Sequence, residues 1–442
     1  MGEISQISLI RPNLNPYLEK YALRTRLIRE RPSADLGLVV VIPACNEPHI
    51  EDALSSLYNC TPPDCATEVI VVVNASESAP QEVVDANART AETCRYWKGI
   101  HDSPAFRIHL IEEPALSRRK AGVGIARKIG MDEAVRRLDD VGNPEGIIAC
   151  FDADSTCAPD YLQALCTHFR KHKKTPGCDI RFAHPTFGGD YDAKNYLAIS
   201  YYELHLRYYN QAIRAAGFPN AFHTVGSSMA VRASAYAKQG GMNTRKAGED
   251  FYFLHKIIAL GGFTSLHTTT VYPSPRPSDR VPFGTGKAVA DYLQDDTKGF
   301  YTYNLQAFKY LHTFFKHIPE FYITAPKPEH LGGDLPYIVI DFLSAYFFEE
   351  RIAEIRANSR GYNSFEKRFY RWFNAFMILK FVHFVRDNAH PNVRVERAAM
   401  DFLRAAGVSD ISEIRSVSGL LGRFRKLDEA PPAKQLRFSS SR

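Results

Sequence analysis

The 442-residue sequence contains no run of about 18 consecutive apolar residues, so a membrane-spanning helix is not expected. Residues 1–31 are polar and charged throughout and lack the pattern of a secretory signal. The eight cysteines, at 45, 60, 65, 94, 150, 157, 166 and 178, form no CxxC pair and have no histidine at finger spacing. This argues against a structural zinc site and for free thiols in a reducing compartment, giving a cytoplasmic expectation. No block of one charge occurs: 55 basic and 49 acidic residues leave a net +6 spread along the chain, which excludes a nucleic-acid-type basic stripe but suits anionic small molecules or an anionic membrane surface. Nor is there an internal repeat, or a dinucleotide fingerprint, since the third glycine position after Gly122 and Gly124 is Arg127.

What is present is the balance of a folded soluble protein, 45% apolar and 24% charged, with length enough for two or three domains. β-Branched runs at 36–43, 67–73, 106–113 and 146–151 alternate with segments of helical spacing, the third with Ile125, Ile129, Val135 and Leu138 on one face. This alternation predicts βαβ units, hence an α/β fold with a mostly parallel, Rossmann-like sheet and helices on both faces. In such sheets ligands bind beyond the carboxyl ends of the strands. The first four ends carry Asn46 and Glu47, Asn74 and Ser76, Glu112 and Glu113, and Asp152 and Asp154. From 155 to 275 the pattern loosens into an α+β half with a long aromatic helix at 195–216. The stretch 273–286 reads as loop from its Pro, Gly and Ser content, and a helical region follows. We therefore expect an N-terminal extension at 1–35, a catalytic domain at 36–275, a loop and helical C-terminal region at 276–430, and a disordered tail at 431–442.

The Asp152-Ala153-Asp154 sequence after a strand presents two hard oxygen donors, which suits Mg2+ or Mn2+ beside a nucleotide diphosphate. The polar start of a surface loop accounts for it equally well. With Thr156 it also matches the opening of haloacid-dehalogenase-type phosphatases, where Asp152 would be the nucleophile and Asp154 the acid/base. That fold opens with this strand, however, and here three βα units precede it.

Six stretches in order, "VVVIPACNE" (39–47), "RRKAGVGIARKIG" (118–130), "FDADS" (151–155), "VGSSMAVRASAY" (225–236), "GGM" (240–242) and "GEDFYF" (248–253), with the strand that runs to Asn74, resemble family 2 glycosyltransferases of the GT-A fold. The resemblance spans residues 37–275. It implies a nucleotide-diphospho-sugar donor over the strand ends, held by Pro43, Ala44 and Glu47. Asn74 stands where the family usually has an Asp that reads the nucleobase, and Val73 replaces another common Asp. An amide both donates and accepts whereas a carboxylate only accepts, which weakens the claim for uridine over guanosine: the resemblance favours a UDP-sugar and a GDP-sugar stays open. Lys120 and Arg127 would neutralise the diphosphate, and Gly226, Ser227 and Ser228 would line the sugar pocket. The resemblance makes Asp154 the direct ligand of Mn2+ or Mg2+, with Asp152 reaching the ion through ribose or water. His267 is a third ligand by analogy with a late family histidine, and His223 is an alternative. Asp250 would be the general base of an inverting displacement, and Glu249 would bind donor or acceptor hydroxyls.

At the level of sequence a solvated basic face, an ordinary turn and the preference of acids for helix starts also explain Lys120, Gly226 and the Glu249-Asp250 pair. Arg280, with Arg276 and Lys287 nearby, is placed for a loop closing on the diphosphate. The aromatic and basic stretch 369–387 reads as a packing helix, or as an interfacial one giving peripheral access to a lipid-linked acceptor. Glycan and small-molecule acceptors remain alternatives, no nucleic-acid partner is expected, and the oligomeric state is left open. The competing reading from another class is a GT-A-like nucleotide-sugar-binding protein that has lost turnover.

Overall fold

The runs at 36–43, 67–73 and 146–151 become strands buried on both faces, as parallel strands covered by helices must be, and the run at 106–113 becomes a partly exposed edge strand. The computed structural model describes residues 14–280, 282–324, 335–409, 411, 414, 416–430 and 435–438. A short helix, α1 (Asn15–Tyr21), is followed by the alternation β1 (Leu36–Ala44), α2 (Ile50–Tyr58), β2 (Ala66–Ser76), α3 (Gln81–His101), β3 (Phe106–Leu116), α4 (Val123–Asp140) and β4 (Ile147–Cys150). Then come β5 (Thr156–Cys157), α5 (Tyr161–Lys171), β6 (Gly177–Phe182), α6 (Ala193–Ala216), β7 (Met229–Arg232), α7 (Ala233–Lys238), α8 (Glu249–Ile258) and β8 (Thr264–Tyr272).

The eight strands form one sheet in the order β3-β2-β1-β4-β7-β6-β8-β5. Strands β1 to β4 pair in parallel, β6 pairs with β8 in parallel, and β7 and β5 run antiparallel to their neighbours. The chain steps from β1 outward to β3, then returns to place β4 on the other side of β1. That reversal opens a crevice at the carboxyl ends of β1 and β4, where open α/β sheets take their ligands.

Helix α4 differs from the amphipathic expectation. Besides Ile125, Ile129, Val135 and Leu138, it buries Arg127, Lys128, Asp132, Glu133 and Arg137. Residues 14–31 supply the reason by lying along its outer side. Tyr17 donates its hydroxyl to Asp132 at 2.6 Å, and the Tyr236 hydroxyl donates to the same oxygen at 2.8 Å. The backbone N–H of Ile28 donates to Glu133 at 2.9 Å, and Arg137 donates to the Glu30 carbonyl at 2.8 Å. Beneath, Arg137 forks onto Glu68 of β2, both fully buried.

Two compact units are present, each with its own core: Met1–Pro185 with Thr224–Ser274 and Arg280–Gly284, and Thr186–His223 with Pro275–Asp279 and Thr285–Arg442. The sheet belongs to the first. The second holds α6 and, in order, α9 (Thr285–Gln294), β9 (Tyr301–Thr302), α10 (Leu305–Lys316), α11 (Ile318–Ile323), α12 (Tyr337–Ala345), α13 (Phe348–Ala357), α14 (Tyr362–Trp372), α15 (Ala375–Asn388), β10 (Val393–Arg394), α16 (Val395–Ala405) and α17 (Val417–Asp428). Its core is largely aromatic: Phe314 packs on Phe321, Phe369 and Phe373. Helix α17 is tied to α6 by Asp428, which takes Arg207 and lies 3.0 Å from His223.

The stretch 369–387 is two helices, because Asn374 ends one and caps the next by accepting from the N–H groups of Phe376 and Met377. Trp372 closes α14 with its ring against Phe348 and Phe369. Most of the expected tail lies outside the described residues; within 435–438, Phe438 is buried and its N–H reaches the Ala215 carbonyl of α6. Among the described residues no helix is long and apolar enough to cross a membrane.

Candidate active site

Pro43 and Ala44 end β1, and the chain turns through Asn46, whose φ of 51° is left-handed. Helix α3 holds this turn: Asn87 accepts from the Asn46 N–H at 2.8 Å, and Thr90 donates to the Glu47 carbonyl at 2.9 Å. Asn87 also donates to the Asn74 carbonyl, so one side chain links the ends of β1 and β2. The Asn74 side chain is buried and points its amide at the Gly122 carbonyl, 3.4 Å away. Glu112 and Glu113 do not join this set, being ion-paired with Arg95 and Arg24.

Beyond β4 the chain makes a tight turn, Ser155 donating to the Asp152 carbonyl at 3.0 Å. Ala153 is buried, while the Asp152 and Asp154 side chains keep 35% and 20% of their surface accessible. Arg280 lies across this end of the crevice. Its Nη1 donates to the Cys45 carbonyl at 2.8 Å and sits 3.6 Å from Glu47, and its Nη2 is 4.0 Å from Asp154.

Helix α8 enters from the other side. Its N-cap is Gly248, whose φ of 66° favours glycine. Glu249 is buried, its carbonyl receiving the Asn243 amide at 2.7 Å, and Asp250 is half-buried with its carboxylate accepting from the Phe251 N–H at 2.7 Å. Between the strand ends and this helix stands Arg127, 3% exposed, with one Nη on Asp152 and the other on Glu249. Burial works against the Arg127 charge, but Asp152 and then Glu249 outweigh it and hold the guanidinium protonated. Burial also pushes the Asp250 carboxyl up to about 7, and the Glu249 carboxylate adds to this, against the opposing pull of Arg127 and of the Phe251 N–H.

Gly226 is buried under Arg127: a Cβ there would come within 2.3 Å of Nη1 and 2.6 Å of Nη2. Ser227 and Ser228 are buried beside it, and the Ser228 carbonyl accepts from Ile180 of β6 at 2.8 Å. Lys120 is exposed in the turn that precedes α4. His267 is half-buried on β8, within electrostatic reach of His168 on α5. His223 is engaged with Asp428 in the second unit.

The structure therefore gathers Glu47, Asp154 and Arg280 into one group, and Arg127, Asp152, Glu249, Asp250 and Gly226 into another that adjoins it through the Asp152–Asp154 turn. Asp152 and Asp154 are hard oxygen donors, open enough to suit a Mg2+ or Mn2+ ion whose other ligands are phosphate oxygens and water. Among the described residues no three His, Cys, Asp or Glu side chains are grouped for a metal ion. Asn87, Thr90 and Asn243 were not singled out from sequence. The Asn87–Thr90 spacing marks one face of a helix but nothing about what that face holds.

Residues 39–240 match the model of the family described as Glycosyl transferase family 2. This stretch is a family 2 glycosyltransferase domain on an α/β fold, and the chain is a glycosyltransferase. The phosphatase reading of Asp152 falls with that assignment. No curated protein matches the chain. Solved structures to which the chain is similar include Staphylococcus aureus TarS 1–349 (14% identity, TM-score 0.34, 89% of this chain and 90% of that one). The same protein in complex with UDP-GlcNAc aligns at 14% identity and TM-score 0.36, over 92% of this chain and 98% of that one. The mannosyltransferase PcManGT from Pyrobaculum calidifontis, in complex with GDP-Man and Mn2+, aligns at 17% identity and TM-score 0.32, over 95% and 89%.

Proposed function

We propose that the chain transfers a sugar from a nucleotide-diphospho-sugar to an acceptor hydroxyl with inversion at the anomeric carbon, and that Asp250 is the general base. The observation that carries this is the placement of Asp250: a half-buried carboxyl at the start of α8, next to Glu249, which Arg127 ties to Asp152 at the crevice. A carboxyl raised to about 7 can accept a proton near neutral pH and hold it through the displacement.

In this reaction the acceptor oxygen forms a bond to the anomeric carbon as that carbon's bond to the diphosphate oxygen breaks. The acceptor proton passes to Asp250, and the nucleoside diphosphate leaves on the opposite face. The turn at Ala44–Glu47 and the buried Asn74 amide would seat the nucleoside. UDP-sugars lead as donors, and because the amide can both donate to and accept from the edge of a base, GDP-sugars follow. Asp154 and Asp152 would hold Mg2+ or Mn2+, which when bound supplies electrostatic stabilisation of the departing diphosphate. Arg280 adds a second positive charge on the same side, and Lys120 a third at the rim. Glu249, paired with Arg127, would accept hydrogen bonds from sugar hydroxyls with its remaining lone pairs. A glycan, lipid-linked or small-molecule acceptor and a cytoplasmic location are parts of this proposal.

The test is transfer from a panel of UDP- and GDP-sugars, with the anomeric configuration of the product read by NMR. Retention of configuration, or undiminished transfer by Asp250→Asn, would overturn it.

A further inference from the structure

The resemblance makes Arg127 a diphosphate ligand, and its surroundings suit a different task. Its side chain is 3% exposed, one Nη is on Asp152, the other is on Glu249, and the backbone of Gly226 covers the guanidinium face. A guanidinium so enclosed presents no Nη group to a phosphate in the crevice. It does connect two carboxylates that arrive from separate elements, one on the turn after β4 and one at the start of α8. The planar fork of arginine fixes both at once, which the single ammonium of a lysine cannot do.

We propose that Arg127 is a positioning residue: an internal brace that sets Asp152, on the donor and metal side, against Glu249 and its neighbour Asp250, on the acceptor side, with Gly226 providing the clearance the brace needs. The proposal rests on the glycosyl-transfer reading above. It follows from the demand that reacting groups be held close to their productive separation, since a displacement of about 1 Å can cost about 100-fold in rate. Gly226 then matters because any side chain there meets the guanidinium head-on, at 2.3–2.7 Å from Nη1, Nη2 and Cζ.

The experiment uses the full chain with Arg127→Lys, Gly226→Ala and the double variant, each checked for cooperative thermal unfolding. Donor turnover gives kcat and KM, and thermal shifts with UDP or GDP, with and without Mn2+, give a readout independent of turnover. Both single variants should lose about 100-fold in kcat with donor KM within about threefold of wild type. In the Arg127→Lys background the added alanine should cost less than about threefold more, because the group it collides with is gone. The metal-free nucleotide shift should persist in Arg127→Lys while the further rise produced by Mn2+ shrinks by more than half.

A donor KM raised tenfold or more with kcat preserved, or loss of the metal-free nucleotide shift, would make Arg127 a diphosphate ligand and overturn the proposal. Wild-type behaviour of Gly226→Ala, or full additivity in the double variant, would overturn it as well. Should Arg127→Lys fail to fold, Gly226→Ala alone decides through the same kcat and KM comparison. Failure of the parent reading is distinguishable, because the wild-type chain would then show neither nucleotide shift nor turnover.

Discussion

Glu249 holds the Arg127 guanidinium, while Asp250, the next residue, is in no ion pair among the described residues. Two consecutive carboxylates thus receive opposite treatment, one ion-paired and one left half-buried beside it. The second is the one whose proton affinity rises.

The first prediction concerns pH. Burial and the Glu249 charge raise Asp250 to about 7, so the carboxyl is protonated below that value and unable to accept a proton. Donor transfer kcat/KM should rise with pH through about 7 and level off above it. Asp250→Asn should reduce kcat by about 10²–10⁴-fold at every pH. A rate profile flat from about pH 5 to about pH 9 would remove Asp250 from the proton path.

Arg280 should behave differently from Arg127, being 42% exposed with its charge shared among Cys45, Glu47 and Asp154. If it moves from these partners onto the diphosphate, Arg280→Ala should raise donor KM by about tenfold or more, the worth of a charge-assisted hydrogen bond, with a smaller change in kcat. An unchanged KM would exclude it from the donor site.

Stability should depend on Glu68 and Arg137, which are buried together under α4. Glu68→Gln leaves the Arg137 charge without its partner and should cost about 3–5 kcal/mol of folding stability. Burial alone would raise the Glu68 carboxyl, but hydrogen bonds from Arg137 and His109 outweigh it and hold the group below its ordinary value. Its contribution is therefore fully present above the unfolded carboxylate range and is lost as pH falls through the folded value. Chemical denaturation at pH 7 and at successively lower pH below about 4 should show the gap between variant and wild type narrowing as pH falls.

Tyr17→Phe should remove the hydroxyl that Asp132 accepts at 2.6 Å and cost about 1.5–3 kcal/mol, as a hydrogen bond to a charged group does. Because Asp132 points away from the crevice toward the 14–31 segment, donor KM should not change. A change in KM without a fall in melting temperature would contradict that division of labour.

Much of the sheet was legible because buried parallel strands are written as uninterrupted β-branched runs, such as Val39–Ile42 and Val69–Val73. The acids at the end of β4 and the start of α8 were legible because a polar pair after such a run, or after a glycine, stands out. Strands β5 and β7 were not, since a two-residue bridge and a four-residue strand carry too little pattern for periodicity to register. The polar half of α4 read as a solvent face, because nothing local announces that residues 14–31 will cover it. Arg127 shows the same limit inside the site: a basic residue near a phosphate-binding helix start suggests a phosphate ligand, and only the fold reveals the carboxylates on either side of it. The break at Asn374 was concealed by apolar spacing that continues through it, although Asn is a preferred cap.

The most direct measurement of the whole account is release of nucleoside diphosphate from UDP- and GDP-sugars by the purified chain, with Mn2+ and with chelator, in wild type and Asp154→Asn. The account predicts release from at least one donor, stimulated by Mn2+ and reduced about 100-fold or more by the substitution, as loss of transition-state charge stabilisation requires. Equal release by the two proteins, or no release from any donor in a chain that binds none of them, would contradict it.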